Sequence, residues 1–210
     1  MQKLTRYALA LVVISLFLIP QSTQATGLGL YLPSWGNGTS TISYDEGYER
    51  EIDIDHIGIG FVLDTKVASR GVFNYRLHLG FESAQYGELE DKFSRFALDN
   101  TFGFGIVQSK AVRLWLGPSI RLAYQTYSSE SLNINSFGLG LAPVLGLNIN
   151  LGSVVSICPE FGFRFMFLGG EEEYDSYYYS DFESFTSTER YFFVNLALIF
   201  RIGDVFDDFF

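Results

Sequence analysis

Residues 112–124 alternate large apolar side chains with small or charged ones, and this period of two constrains the fold more than any other feature of the sequence. On an extended strand Leu114 and Leu116 point to one side, whereas Arg113 and Arg121 point to the other. One apolar face backed by small and charged residues is typical of a strand with lipid on one side and a narrow polar interior on the other. The segment therefore predicts a membrane-spanning β-strand.

The same alternation recurs in eight segments of the chain. They are residues 27–36, 51–64, 72–86, 93–108, 112–127, 136–151, 154–168 and 191–203. An even number of strands lets an antiparallel sheet close, and closure is needed because an open sheet edge cannot exist in hydrocarbon. The predicted fold class is all-β: an eight-stranded antiparallel up-and-down transmembrane β-barrel. At this size side chains just fill the interior, which accounts for the inward glycines.

Alternation alone does not say which face of the sheet is wet. A soluble eight-stranded barrel with its apolar face turned inward is the rival architecture. It would place glycines such as Gly58, Gly103 and Gly138 on a solvent face and would have to pack rows of Phe and Leu inside. We therefore expect the apolar faces to point outward.

The N-terminus has the pattern of a secretory signal peptide. Lys3 and Arg6 precede an apolar run over residues 7–19, and Ala25 offers a small residue for cleavage. We expect a signal peptide over residues 1–25 and one barrel domain over residues 26–210. Cleavage removes two bases and no acid, so the formal charge goes from -10 to -12. A chain this acidic disfavours a nucleic-acid partner.

The predicted connections alternate in length. Residues 37–50, 87–92, 128–135 and 169–190 form the longer, more polar set, and residues 65–71, 109–111 and 152–153 form the shorter one. Long outer loops and short periplasmic turns are the expected asymmetry of a bacterial barrel. Both termini would then be periplasmic.

Three prolines fall in the middle of predicted strands. Pro118, Pro143 and Pro159 all lie on the apolar face, and each removes a donor from the ladder. We therefore expect a row of bulges or kinks at these positions.

With its signal peptide, eight strands, loop asymmetry and aromatic-rich last strand, the chain resembles the small outer-membrane β-barrel family typified by the OmpA transmembrane domain, OmpX and OmpW. The resemblance implies a location in the bacterial outer membrane, among outer-membrane lipids and lipopolysaccharide. It also implies that the barrel assembly machinery reads the last strand, residues 190–203. It implies no cofactor. The family often ends on the aromatic residue of the last strand, whereas here residues 204–210 follow.

Charged residues on the predicted inward faces form the first candidate site. They are Arg76, Glu82, Arg95, Asp99, Arg113, Arg121, Glu160, Arg164 and Arg201. Charges in so narrow a space must be paired, because an isolated buried charge is strongly unfavourable. The pattern predicts a salt-bridge network that closes the interior.

The connection over residues 169–190 forms the second candidate site because it is both acidic and rich in tyrosine. The residues singled out as a surface loop are Glu171, Glu172, Glu173, Asp175, Tyr177, Tyr178 and Tyr179. One interpretation extends the seventh and eighth strands as a hairpin that offers an edge and a tyrosine-rich face to an extracellular ligand. The other is a mobile hydrated loop. The segment lacks the spaced ligands and fixed glycine of an EF-hand calcium loop.

Catalysis like that of lipid A-modifying barrels would need a histidine beside an orienting carboxylate. The candidates are His56, next to Asp53 and Asp55, and His78, but the alternation puts His56 and those acids on opposite faces. We therefore expect a non-enzymatic protein with no metal site and with a structural or surface-interaction role. The alternatives are a narrow pore or apolar-ligand channel, and a lipid A-modifying enzyme.

Overall fold

The computed structural model describes residues 27–44, 47–65, 67, 72–87, 92–175 and 180–202. Within these residues no helix is long and apolar enough to cross a membrane. The strands are β1 (Gly27–Tyr44), β2 (Glu49–Asp64), β3 (Phe73–Tyr86), β4 (Lys92–Gln108), β5 (Val112–Ser128), β6 (Leu132–Leu151), β7 (Val155–Asp175) and β8 (Ser180–Arg201). The predicted signal peptide and the tail after the last strand lie outside the described residues.

The eight strands form one closed antiparallel barrel in which each strand pairs with its neighbours in sequence and β8 pairs with β1. The predicted fold class is confirmed in this respect. Closure leaves no sheet edge along the body of the barrel.

The strands are staggered, so the rows of directly paired residues climb as they pass round the barrel. Successive partners of Leu30 lead through all the strands and return to β1 at Thr41 rather than at Leu30. Such a stagger accompanies strands that are tilted from the barrel axis. It decides which side chains meet across the interior.

The apolar faces point outward. Phe61, Leu141 and Phe167 expose 54%, 55% and 63% of their surface, whereas the inward Trp115 exposes none. Large apolar residues are exposed on every strand, which a soluble barrel with its apolar face inside would not show. The rival architecture is therefore wrong.

The strands are longer than predicted at one end of the barrel. We call this the hairpin end, since it carries the β1–β2, β3–β4, β5–β6 and β7–β8 connections; the opposite end is the termini end. Most of the predicted loop over 37–50 is strand, because β1 runs to Tyr44 and β2 begins at Glu49. The 65–72 connection at the termini end is longer than any at the hairpin end. The predicted difference in loop length is thus wrong, and the asymmetry lies in paired polar strand instead.

The structure has no bulge at Pro118, Pro143 or Pro159, although the β6–β7 ladder lacks pairs at Pro143 and opposite Pro159. Pro118 and Pro143 are direct partners, and the β5–β6, β6–β7 and β7–β8 registers pass all three prolines without a shift. A proline removes one ladder donor but adds no residue, so the register is kept. The register shifts lie between Tyr31 and Ser34 on β1 and between Gly105 and Val107 on β4.

Candidate functional site

Charged side chains, packed together with inward aromatic and aliphatic ones such as Trp115 and Phe193, fill the barrel interior. All nine residues singled out for this region are buried, with at most 6% of their surface exposed. Seven of them fall into three groups, which we call the upper, middle and lower layers in order from the hairpin end to the termini end. Each layer joins side chains of adjacent strands, such as Asp99 and Arg121, to side chains of strands that are distant in sequence, because closure and stagger decide which side chains meet across the barrel.

The upper layer centres on the guanidinium of Arg95 in β4. Its Nη2 donates to Glu189 Oε1 at 2.6 Å, and its Nε donates to Gln125 Oε1 at 2.9 Å. The hydroxyl of Tyr86 donates to the same Glu189 oxygen at 2.6 Å. This layer therefore ties β3, β4 and β5 to β8 across the interior.

The middle layer is organised by Arg121, which holds two carboxylates. Its Nη1 and Nη2 each lie 2.8 Å from an oxygen of Glu82, and its Nε and Nη2 lie 2.9 and 2.6 Å from the two oxygens of Asp99. Arg164 also reaches Asp99, at 2.8 Å, and its guanidinium lies 4.3 Å from the Phe193 ring centroid. Paired, two-pronged bonds of this kind are the strongest that Arg makes with carboxylates.

The lower layer is built on Arg76. Its Nε donates to Asp64 at 2.8 Å, its Nη2 donates to Asn148 at 2.9 Å, and its Nη1 pairs with Glu160. The guanidinium also lies 5.1 Å from the centroid of the buried Trp115 ring. These contacts link β2, β3, β6 and β7 near the termini end.

The other two predicted arginines lie below the lower layer, where both contact main-chain carbonyls and Arg113 also contacts a side chain. Arg113 Nη2 lies 3.4 Å from the Val72 carbonyl oxygen and 3.3 Å from Asn74 Oδ1. Arg201 Nη2 donates to the Gly152 carbonyl. Both arginines therefore lie beside the connections at the termini end.

Two acids of these layers were absent from the predicted interior set. Asp64 is the last residue of the predicted second strand, and its even number matches the inward Gly60 and Val62 of β2. Glu189 falls in the predicted connection over residues 169–190, yet it is fully buried two residues before the inward Tyr191. The alternation therefore points both acids inward, but for Glu189 it is visible only if β8 is taken to begin before residue 190.

The histidines are also buried inside. The His56 ring packs edge-on against Tyr191, with centroids 4.6 Å apart, while Asp53 and Asp55 are exposed on the other side of β2. His78 Nε2 lies 3.6 Å from Glu160, inside the lower layer. The described residues thus contain no His56–carboxylate pair of the kind a general base needs. They also contain no group of three or more His, Cys, Asp or Glu residues arranged for a metal ion.

At the hairpin end, β7 and β8 pair as far as Asp175 and Ser180, so the predicted extension of these two strands is confirmed, while the predicted ligand-binding face stays a prediction. Glu172 is buried there and accepts hydrogen bonds from Tyr174 at 2.7 Å and from Tyr44 at 3.3 Å. Burial, together with the nearby Glu172 charge, raises the pKa of Tyr44 from 10.0 to about 12. The bond to Glu172 also raises the pKa of Tyr174. We call these three residues the tyrosine–glutamate cluster.

The remaining residues of the second candidate site differ in how they are placed. Glu171 is exposed and Glu173 is half-buried on the same strand. Asp175 ends β7, and Tyr177, Tyr178 and Tyr179 lie outside the described residues. Of Glu171, Glu172 and Glu173, whose side chains the structure describes, Glu172 belongs to the tyrosine–glutamate cluster.

Among the described residues, the hairpin end of β2 has a partner strand on one side only. β2 pairs with β1 as far as Glu49, but its last β3 partner is Tyr86, opposite Ile54, after which Gly87 N donates to the Asp53 carbonyl at 2.7 Å. Within the described residues, 49–52 therefore have a partner strand on one side only. Beside this edge lies a groove of about 380 Å³, lined by Thr39, Glu51, Ile52, Asp53 and Gly87. We call it the β2 edge groove.

Comparisons with known proteins agree with this architecture. No protein-family model matches the chain, and no curated protein matches it. Among solved structures it is similar to the outer membrane protein OprG from Pseudomonas aeruginosa, with a TM-score of 0.59 and 10% identity over 88% of this chain and 100% of that one. It is also similar to a major outer membrane protein from Thermus thermophilus, with a TM-score of 0.51 and 13% identity over 83% of this chain and 99% of that one. The chain thus has the fold of the small outer-membrane β-barrels, OprG among them.

Proposed function

We propose that this chain is an integral outer-membrane β-barrel with a closed interior and a structural or surface-interaction role. One observation carries the proposal: apolar side chains cover the outside while paired charges, stacked in three layers, fill the inside. The apolar outside is compatible with contact with lipid, whereas the charged inside must be sealed from lipid or filled with water. Its surroundings would be outer-membrane lipids and lipopolysaccharide, with insertion by the barrel assembly machinery.

The hairpin end faces the cell exterior in this proposal, and both termini face the periplasm. The polar strand extensions all lie at the hairpin end, where outer-membrane barrels carry their extracellular segments. Removal of residues 1–25 as a signal peptide belongs to the same proposal, since an outer-membrane protein must first be exported.

The other roles have less support. A narrow pore or apolar-ligand channel needs a continuous path past the Arg95, Arg121 and Arg76 layers, whose charges are paired with one another. A lipid A-modifying enzyme needs an accessible base beside its orienting carboxylate. His56 points away from Asp53 and Asp55, and His78, which does lie 3.6 Å from Glu160, is buried with it in the lower layer. We therefore propose no catalytic role.

Heat-modifiable gel mobility on separated membrane fractions tests the proposal. The protein should fractionate with the outer membrane, and the unheated band should migrate differently from the boiled one because a closed barrel resists detergent unfolding. Recovery in the soluble fraction, or a single band under both conditions, would overturn it.

We also propose that the hairpin end binds a cationic surface partner in an extended conformation. The β2 edge groove is the observation that favours this role, because an unpaired strand edge is a template for one more strand. Glu49, Glu51 and Asp53 are exposed along this edge. Such a row of acids complements basic side chains on an added strand, and the attraction weakens with salt because exposed charges are screened over about 10 Å at 0.1 M.

A pair of synthetic peptides tests this second role on the folded barrel. A peptide alternating lysine with valine should bind at low salt, and one alternating glutamate with valine should not. The Glu51→Lys variant should weaken binding of the lysine peptide, whereas Glu171→Lys, an equal charge change on β7, should leave most of it. Equal binding of both peptides, or equal effects of both variants, would contradict a site at β2.

Replacing residues 173–182 with Asn-Gly tests whether the outer part of the β7–β8 hairpin contributes to this binding. The change joins the directly opposite Glu172 and Glu183 through a two-residue turn that suits a hairpin. The shortened barrel should fold and remain heat-modifiable. Full retention of peptide binding would assign the partner site to β2 alone.

A further inference from the structure

A groove runs along the outer wall of the barrel from β1 to β5, and the closed interior does not use it. It has a volume of about 670 Å³. Its lower wall is one register row of large residues, Ile59, Phe81, Phe96 and Tyr124, which are direct partners from strand to strand. Its upper wall is the next outward row, in which Ile57 is followed by the small side chains of Ser83, Ser94 and Thr126. The step in side-chain size between the two rows creates the groove.

The groove is inclined, and its polarity changes along its length. Because the register rows climb toward the hairpin end from β1 to β8, the β5 end of the groove lies nearer that end than the β1 end does. The end of the groove at β1 and β2 is lined by Leu32, Pro33 and Ile57, whereas the end at β4 and β5 is lined by residues that include Ser94 and Thr126, which carry hydroxyl groups. The groove therefore changes from apolar to polar toward the hairpin end, which matches the change from acyl chain to headgroup along a lipid molecule.

A cation lies on the outward register row next to the upper wall of the groove, on the side of the hairpin end. Lys92 is exposed on the outward face of β4, two residues nearer the hairpin end than Ser94. A flexible ammonium near the polar headgroup level attracts phosphate. Asp55 lies on the same outward row as Lys92, two strands away on β2, and its Oδ1 accepts a hydrogen bond from Asn37 Nδ2 at 2.8 Å.

We propose that this groove is a binding site for one phosphate-bearing membrane lipid. An acyl chain lies along the row from Leu32 to Phe96, and the phosphate meets Lys92 and the Thr126 hydroxyl. The contacts of the chain supply most of the affinity, and the lysine selects an anionic headgroup. This inference rests on the proposed membrane location, but it requires neither a closed interior nor a partner at the β2 edge groove.

Native mass spectrometry of the folded, delipidated barrel in detergent tests the site. The probes are phosphatidylglycerol, phosphatidylcholine with the same chains, and glycerol phosphate alone. We expect retention of one phosphatidylglycerol, weaker retention of phosphatidylcholine, and no competition from glycerol phosphate. Lys92→Gln should reduce the preference for phosphatidylglycerol by about fivefold, since one interfacial cation contributes on that order.

Filling the groove provides the decisive comparison. Ser94→Phe places a ring between Ser83 and Thr126 and should lower phosphatidylglycerol retention by about tenfold or more, because it displaces several methylene groups. Thr186→Phe adds a ring to the exposed outward face of β8 and is the matched control. Retention equal in Ser94→Phe and Thr186→Phe would overturn the site. So would competition by glycerol phosphate, which would leave only a simple anion contact at Lys92.

Heat-modifiable mobility of each variant is checked first, so that misfolding is not mistaken for loss of lipid. A barrel that is found in the outer membrane but binds no lipid in this assay would contradict the lipid site and leave the proposed function standing.

Discussion

Arg95 on β4 and Glu189 on β8 lie 94 residues apart in sequence, yet their Nη2 and Oε1 atoms are 2.6 Å apart inside the barrel. Both side chains are buried, and the Tyr86 hydroxyl donates to the same Glu189 oxygen. The pair joins the opposite walls of the barrel in the upper layer, which is the layer nearest the hairpin end.

Glu189→Gln should destabilise the barrel strongly, because it leaves the Arg95 charge buried without its partner. The expected loss is about 3–5 kcal/mol in the free energy of unfolding, measured by reversible urea unfolding in detergent micelles. Glu171→Gln makes the same change at an exposed position on β7 and should have little effect. The double variant Arg95→Met/Glu189→Met should recover much of the loss, since no buried charge remains. Equal stabilities for Glu189→Gln and Glu171→Gln would contradict a structural role for the pair.

Gly146→Ala should destabilise the barrel by about 1–3 kcal/mol through overpacking. A Cβ at Gly146 would overlap atoms of the buried Trp115 ring, whereas a Cβ at Gly169 has no other atom within 4 Å. Gly169→Ala is therefore the matched control and should leave the unfolding free energy nearly unchanged. Adding Trp115→Phe to Gly146→Ala should cost less than the sum of the two single changes, because the shorter ring leaves room for the methyl group. Strict additivity would argue against this contact.

Much of this architecture follows from the period-two pattern of the sequence. Alternation alone identifies Arg121, Arg164 and Arg76 as inward, and the strand count identifies the barrel. It does not identify partners, because Arg95 meets Glu189 only through closure and stagger, which the pattern does not encode. The sequence pattern also does not show where the strands end, because strand segments that extend beyond the apolar belt have the polar composition of loops. The prolines do not predict bulges for a related reason. A proline shows in the sequence that one ladder donor is missing, but a bulge needs an extra residue in one strand, and the sequence does not show where that occurs.

The tyrosine–glutamate cluster should make the hairpin end sensitive to alkali. The pKa of Tyr44 is raised from 10.0 to about 12, so folding keeps its proton in a range where the unfolded chain releases it. The stabilisation is therefore fully present below pH 10 and is lost as the pH rises toward 12. Tyrosinate absorbance should show this late titration, and limited proteolysis should show the hairpin becoming cleavable over the same range.

Glu172→Gln is the control for this titration. It removes the charge that opposes ionisation of Tyr44 while keeping an acceptor for its hydroxyl, so the Tyr44 midpoint should move back toward 10.0. An unchanged midpoint in Glu172→Gln would show that the cluster does not control this tyrosine.

Single-channel recording in planar bilayers tests the closed interior most directly. The layers built on Arg95, Arg121 and Arg76 fill the barrel with side chains whose charges are paired with one another. Folded protein, verified by heat-modifiable mobility before reconstitution, should insert without producing stable conductance steps of porin size. Steady, reproducible steps of that size from the folded protein would contradict the closed interior and support a pore.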